Sequence, residues 1–568
     1  MASSGQARER STSSGRARLR KCSRAAPPGA PQAQDQTDSD AQERLIAFLE
    51  SPESYPHSPA EVRLMQTHIS WVFIASPFVF KVKKPMELGF LDFSTLEKRR
   101  HFCQRELDLN RRLCPDIYLG VVPIYESASG FSFNAEGEIA EYSVKMRQLQ
   151  SGWFLSQLLA KGLVGEKEIK RVICCLHRFY ESEKPDPEIE VWGTPEKLKI
   201  STDENFVQVE PFIGRTISPV AFETIRHFTN QFYAGNEELF LERIKEHRIL
   251  DCHGDLHLDH IHLTPEAITI FDCIEFNDRF RFIDIANDVA FLAMDFDFEG
   301  RSDLGNPLLR NAAREFQDGG MLKVTNFYKC YRAFVRGKVE SIQATEKETV
   351  DPRAHEKRAA RYFLLALRYA VASSEPLVLV VMGRVGTGKT TVAQKLASEL
   401  DWPVFSSDKI RKSLAGIPLT ERTPHERRDE VYSSQMTEQT YKKLMENGLA
   451  ALTTHSSLIL DATFSSRANR DFLRETCAKA KVRLQVIELQ TDRGTIEKRL
   501  KERDRITGEI SDARLEDFEK LSAAYELPSE LASDLIRVST TMSVPDTVKA
   551  ILRRISEKQA GVGEGVAH

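Results

Sequence analysis

The sequence predicts two folded domains of different class, an α+β domain followed by an α/β domain whose parallel sheet is flanked by helices. Three observations carry this. The first half opens with two β-rich runs, "HISWVFIAS" and "PFVFKVKKP", and continues as mixed, mostly helical sequence. The last third starts with the apolar run "EPLVLVVMG", a glycine-rich turn and an amphipathic helix. It then alternates strands with helices, which is how a parallel sheet is wound. Between them lies "IQATEKETVDPRAHEKRAAR", charged enough to read as a connector. The length of 568 residues agrees, at about 100–200 residues per domain.

Taken in order, residues 1–40 are rich in Arg, Ser, Pro and Ala and lack an apolar core. They read as a disordered tail rather than a secretory or transit segment. Order is expected from Ala41, with "AQERLIAFLE" as a first helix. The two β-rich runs meet at Ser76-Pro77 and suggest a hairpin. In "STLEKRRHFCQRELDLNRRL", Ser94 and Glu97 match a capping box, and Leu96, Cys103, Leu107 and Asn110 share one helical face beside Glu106. The first domain spans 41–341 and a helical connector 342–375, which includes "ARYFLLALRYAVA". The second domain spans 376–558, and residues 559–568 form a small-residue tail expected to be disordered.

Composition narrows the classes. Hydrophobic residues are 41%, charged residues 29% and net charge −4, which suits a globular protein and gives no bulk support for a nucleic-acid coat. Nine cysteines, an odd number without any CxxC pair, argue against a disulfide framework and for a cytoplasmic location. No apolar run approaches the roughly 18–20 residues that span a bilayer. Nothing points to a membrane or to an obligate protein partner.

The most specific motif is Gly383-Arg384-Val385-Gly386-Thr387-Gly388-Lys389-Thr390, followed by Thr391. It fits G-x-x-x-x-G-K-[ST] between a buried strand and a helix. In such a loop backbone N–H groups wrap the phosphates of ATP, Lys389 reaches the β- and γ-phosphates, and Thr390 ligates Mg2+. Asp461, ending the strand "SSLILDATF", is placed to meet the same ion. Asp408 and Arg411, in "FSSDKIRKSLAG", offer a base for an acceptor hydroxyl and a cation for an acceptor's anion; a helix cap with a surface arginine is the plainer alternative. Arg499 and Arg503, four apart on one helix, are candidates to close over the transferred phosphate, against the alternative of a solvated charged face.

Together these residues resemble the small P-loop kinases of AAA type: gluconate kinases, zeta-toxin-like kinases and polynucleotide 5′-hydroxyl kinases. The D-x-x-R of Asp408–Arg411 and the R-x-x-x-R of Arg499–Arg503 look most like the last group. That resemblance implies Asp408 as general base and the arginines as phosphate handlers.

In the first domain, "DCHGDLHLDHIHL" places four histidines and three aspartates in thirteen residues. A metal site is the obvious reading, since His253 and His257 are four apart. The interleaved Leu256, Leu258, Ile261 and Leu263 argue instead for an extended loop entering a strand. His253-Gly254-Asp255, the strand "ITIFD" and Asp272 seventeen residues on match a phosphotransferase catalytic loop. The stretch resembles the aminoglycoside phosphotransferase family, a bilobal, protein-kinase-like fold.

The resemblance implies Asp255 as base, Asp272 as magnesium ligand, Lys81 on the α/β-phosphates with Glu106 as its ion-pair partner, and Asp284 or Asp288 as a brace for the loop. Lys83, on the same strand face, competes with Lys81. The family's asparagine is replaced by His260, a poor magnesium ligand, with Asp259 next door as a substitute. No glycine-rich phosphate loop lies in "WVFIASPFVFK".

The functional expectation is an ATP- and Mg2+-dependent phosphotransferase acting on a hydroxyl of a small molecule or a nucleic-acid end. The alternatives are an N-terminal pseudo-kinase that binds a ligand and gates the P-loop domain, and a polynucleotide 5′-hydroxyl kinase. The family resemblance does not fix the acceptor.

Overall fold

A computed structural model describes residues 33–346, 349–453, 456–504, 512 and 514–561. The tail expected over 1–40 lies largely outside the described residues, but helix begins at Ala33 rather than near Ala41 and runs to Glu50. The second expected tail falls outside from residue 562; before it the last helix, Val544–Gln559, is continuous.

The first sheet holds β1 (Arg63–Gln66), β2 (Ser70–Ala75), β3 (Phe78–Lys83), β4 (Tyr118–Ser127), β5 (Gly130–Ser132) and β6 (Glu138–Arg147). All its pairings are antiparallel, in the order β1-β2-β3-β6-β4-β5. β2 and β3 form the expected hairpin, Ala75 opposite Phe78, with a cis Ser76-Pro77 bond in the turn. The period of two puts Lys81 and Lys83 on one face. Helix Leu96–Arg111 packs Cys103 and Leu107 against Tyr118, Val144 and Met146 on that face. Its cap is Thr95, whose hydroxyl accepts the Lys98 N–H at 3.3 Å. The Ser94 hydroxyl donates instead to Asp92 at 2.6 Å, so the expected Ser94/Glu97 box gives way to a cap one residue later.

A helical body follows. β7 (Ile249–Asp251), β8 (Ile261–Leu263), β9 (Ile268–Ile270) and β10 (Phe282–Asp284) form two small antiparallel ladders in it, β7 with β10 and β8 with β9. Helix Ile285–Phe298 is buried along nearly its whole length. The sequence expected a connector at 342–375, but helix Pro352–Ala372 buries Tyr362, Phe363, Ala366, Leu367 and Ala370 in the same core. Its ring Tyr362 stacks on Phe298 at 3.7 Å. Polar residues at its start carried the connector reading; its apolar face decides the packing.

The second sheet comprises β11 (Leu377–Met382), β12 (Val404–Ser406), β13 (Ser457–Asp461), β14 (Arg483–Gln490) and β15 (Leu535–Ser539). It is parallel throughout, in the order β12-β13-β11-β14-β15. β11 is central and wholly buried, as its unbroken apolar run requires. Helix Val544–Gln559 packs between this sheet and helix Pro219–Gly235, and one hydrophobic core runs through both domains. Polar contacts rim that junction: His227 with Glu557 at 2.8 Å, Ser218 to Glu399 at 2.6 Å and Asn236 to the Ala560 carbonyl at 2.8 Å. Among the described residues, no helix is long and apolar enough to cross a membrane.

Candidate functional site

The strand β11 delivers the glycine-rich loop to the C-terminal edge of the parallel sheet, where ligands of such sheets bind. Gly383, Gly386 and Gly388 have φ of 140°, 81° and 88°. A Cβ on Gly383 would meet the Leu489 carbonyl at 2.5 Å, and one on Gly386 would meet Ile496 at 2.7 Å. These positions therefore need glycine for space as well as for backbone. Helix Lys389–Leu400 starts directly after Gly388, so its open N–H groups and dipole face the loop.

Lys389 Nζ donates to the Arg384 carbonyl at 3.1 Å, across the hollow of the loop. Burial pushes its pKa down, against the pull of Asp461 and Asp408. The Thr390 hydroxyl donates to Asp461 Oδ2 at 2.8 Å. Burial raises the Asp461 pKa, and Lys389 and Thr390 pull it back. Thr390 and Asp461 are an all-oxygen pair of the kind Mg2+ takes beside nucleotide phosphates, so these residues fit the ion. Gly383 and Arg384 contribute backbone only; the Arg384 guanidinium lies over the Tyr525 ring at 5.5 Å.

A cavity of about 1040 Å³ opens over the loop. Val385, Thr387, Lys389, Thr390, Thr391, Asp408, Arg411, Asp461, Arg499 and Arg503 all line it, from four separate stretches of chain. Two of the arginines are held in place rather than free at the surface. Arg499 is latched, with Nη1 to Thr387 O at 3.3 Å and Thr540 Oγ1 at 3.0 Å, and Nη2 to Thr540 O at 2.7 Å. Arg411 is buried, donating to Val431 O and Thr437 Oγ1 at 3.1 Å each and stacked 5.0 Å over Tyr432. Among the described residues its Nε has no hydrogen-bond partner. Tyr432, Thr437, His425 and Arg428 also line the cavity, and sequence reasoning missed them because no motif marks that wall.

In the first domain the structure brings together Lys81, Glu106, Asp255 and Asp272. Lys81 Nζ lies 2.8 Å from Glu106 Oε1 and 2.6 Å from Asp272 Oδ1. Lys83 also reaches Glu106, at 2.8 Å, and pairs with Glu275, but it is fully buried. Both lysines thus share one glutamate, and only Lys81 touches Asp272. Burial opposes the charge on Lys81, yet Asp272 and Glu106 hold its pKa well above the usual value. Asp272 has φ of 64°, a left-handed conformation uncommon for a non-glycine residue.

The histidines divide by role. His253 is buried; Nε2 donates to Phe271 O at 2.9 Å and Nδ1 accepts the Asp255 N–H at 3.2 Å, so it ties the loop together. Asp255, His257 and His260 cluster, with ligand atoms within 4.8 Å of one another. Burial would raise the Asp255 pKa, but His257 and His260 hold the carboxyl well below the usual range. His260 is pushed down to about 4 by burial and by His257.

Of the two aspartates considered as braces, Asp288 does this: it accepts the His253 and Gly254 N–H groups at 3.0 Å each. Asp284 caps its own helix and pairs with Arg243. Asp295, two turns on from Asp288, accepts the Leu258 N–H at 3.0 Å, and Arg332 donates to Gly254 O at 2.8 Å. The seven-residue spacing of Asp288 and Asp295 was visible in the sequence, whereas Arg332 carried no signal.

Residues 378–528 match the family model described as "AAA domain". A gluconokinase from Sinorhizobium meliloti 1021 is 21% identical over 33% of this chain and 98% of its own, with a TM-score of 0.23. A shikimate kinase from Aquifex aeolicus vf5 is 17% identical over 33% and 99%, also with a TM-score of 0.23. Scores this low carry no functional inference. "Uncharacterized protein Rv2004c" of Mycobacterium tuberculosis (strain ATCC 25618 / H37Rv) is 31% identical over 417 residues, 73% of this chain and 81% of its own, and "Uncharacterized protein Mb2027c" of Mycobacterium bovis matches equally. A match of that length is too long for either domain alone. The chain belongs to the family of these mycobacterial proteins and carries within it an AAA domain.

Proposed function

We propose that the C-terminal domain is an ATP-dependent phosphotransferase that acts on a hydroxyl acceptor. The observation that supports it best is the meeting of Lys389, the Thr390–Asp461 pair and Asp408 in one cavity. Bound Mg2+ would supply charge neutralisation between the phosphates. Lys389 and the helix N-terminus hold the β/γ-phosphates, Asp408 accepts the acceptor's proton, and Arg503 faces the transferring group. Arg411, clamped on Tyr432 with a spare Nε, suits an anionic acceptor. A 5′-hydroxyl nucleic-acid end and a small phosphorylated molecule are both of that kind.

For the first domain the reading is a second nucleotide-dependent phosphotransferase with Asp255 as base. The Lys81–Glu106 pair touching Asp272 favours it. A ligand-binding module without turnover is the competing reading.

The test is transfer of labelled γ-phosphate from ATP to sugars, aminoglycosides, nucleosides and 5′-hydroxyl oligonucleotides by the full-length chain. Lys389→Ala and Asp255→Ala are run beside wild type. Loss of one product in each variant supports two enzymes. Full turnover in Lys389→Ala would overturn the C-terminal assignment. Loss in Lys389→Ala alone makes the first domain a binding module.

A further inference from the structure

Magnesium prefers oxygen, so an imidazole in a phosphotransferase loop reads from sequence as an obstacle. The geometry gives it another meaning. His260 Nδ1 lies 2.9 Å from the Asp255 carbonyl oxygen. A carbonyl only accepts, so Nδ1 carries the ring proton and Nε2 holds the lone pair. That nitrogen faces Asp272 Oδ2 at 3.5 Å, while Asp272 Oδ1 is taken by Lys81. Two electron-rich atoms without a proton between them are left side by side in a half-open cleft. Neighbouring ligands about 2.2 Å from one octahedral ion stand roughly 3.1 Å apart, so these two atoms need close only a few tenths of an ångström to share one.

The neighbouring histidines do not compete. His257 Nδ1 accepts the Asp259 N–H at 3.3 Å, which leaves the proton on Nε2, toward Asp255. Both nitrogens of His253 are used inside the loop. Asp259 is exposed, and its backbone N–H is its contact with this cluster.

We propose that His260 Nε2 and Asp272 Oδ2 form a mixed imidazole–carboxylate site for a divalent transition ion such as Mn2+, and that the site discriminates against Mg2+. Water, and phosphate oxygens when a nucleotide is present, complete the shell. The loop of the second domain offers Thr390 and Asp461, oxygen only, and suits Mg2+. One chain then carries two ion sites of different character.

The test is pulsed EPR of the full-length protein with Mn2+ and ADP, reading the 14N modulation of a coordinated imidazole. The expected result is a 14N modulation that persists in Lys389→Ala, disappears in His260→Asn and resists excess Mg2+ better than the oxygen-only Mn2+ population does. In His260→Asn, Mg2+ should displace Mn2+ from both sites alike. Bound Mn2+ without 14N modulation, modulation surviving in His260→Asn, equal displacement of both populations by Mg2+, or no Mn2+ binding would each overturn the proposal. The Mg2+ competition on wild type decides the matter even where the variant folds poorly. No turnover is measured, so failure here leaves the phosphotransferase reading standing.

Discussion

The two carboxylate oxygens of Asp288 accept the backbone N–H groups of His253 and Gly254, each at 3.0 Å, and the Tyr180 hydroxyl donates to the same carboxylate. All of these groups are buried. Asp288→Ala would leave three buried donors unpaired, the two backbone N–H groups and the Tyr180 hydroxyl, at about 1–3 kcal/mol each. The expected outcome is early hydrogen exchange across residues 251–260 and a destabilised first domain, with the P-loop domain's ATP binding retained. Unchanged exchange in that segment would show that the loop is held by other contacts.

Lys81 and Lys83 separate a site lysine from a structural one. Lys83→Met leaves Glu106 its contact with Lys81 but takes the ion-pair partner from the buried Glu275, and breaking a buried pair costs about 3–5 kcal/mol. Lys81→Met opens onto the cleft through Asp272 and should change nucleotide or metal binding more than stability. Urea unfolding set beside ligand titration for both variants checks this. Equal loss of stability in both would remove the distinction.

The sequence put Lys81 first but kept Lys83 as a competitor, because a period of two puts both lysines on one face. Only the packing of helix Leu96–Arg111 and the position of Asp272 decide which one meets the cleft. The same division holds elsewhere. The glycine-rich loop was legible in full, since its φ angles and close approaches permit only glycine at Gly383 and Gly386. Arg332, reaching Gly254 from a helix 78 residues on, was not, because long-range contacts leave no local pattern. The burial of the helical connector was hidden for a related reason: the charges of its first residues are local, whereas its packing depends on Phe298 and the first domain's core.

Arg499 and Arg503 line the same cavity but are expected to act differently. Arg499 ties the P-loop carbonyl of Thr387 to Thr540, so Arg499→Ala loosens the loop before any chemistry. Losing a charge-assisted hydrogen bond costs about 1.5–3 kcal/mol, which corresponds to ATP binding weakened roughly 10- to 100-fold. Arg503→Ala should lower kcat with little change in ATP affinity, as for a group felt mainly in the transition state. Titration of a fluorescent ATP analogue beside kcat separates them; a shift in affinity for Arg503→Ala alone would reverse the roles.

His253 makes the first domain sensitive to acid. Burial pushes its pKa below the ordinary value of about 6.5, and its Nδ1 must stay unprotonated to accept the Asp255 N–H. Below that ordinary value the unfolded chain takes up a proton that the folded loop refuses. Stability therefore holds at neutral pH and declines as pH falls from about 6.5 toward the folded value. The slope from this one group is at most about 1.4 kcal/mol per pH unit. His253→Gln is less stable at every pH, but its stability should fall less steeply between pH 7 and pH 5. Urea midpoints across that range read the slope directly, and parallel curves for the two proteins would show that His253 is not the group that titrates.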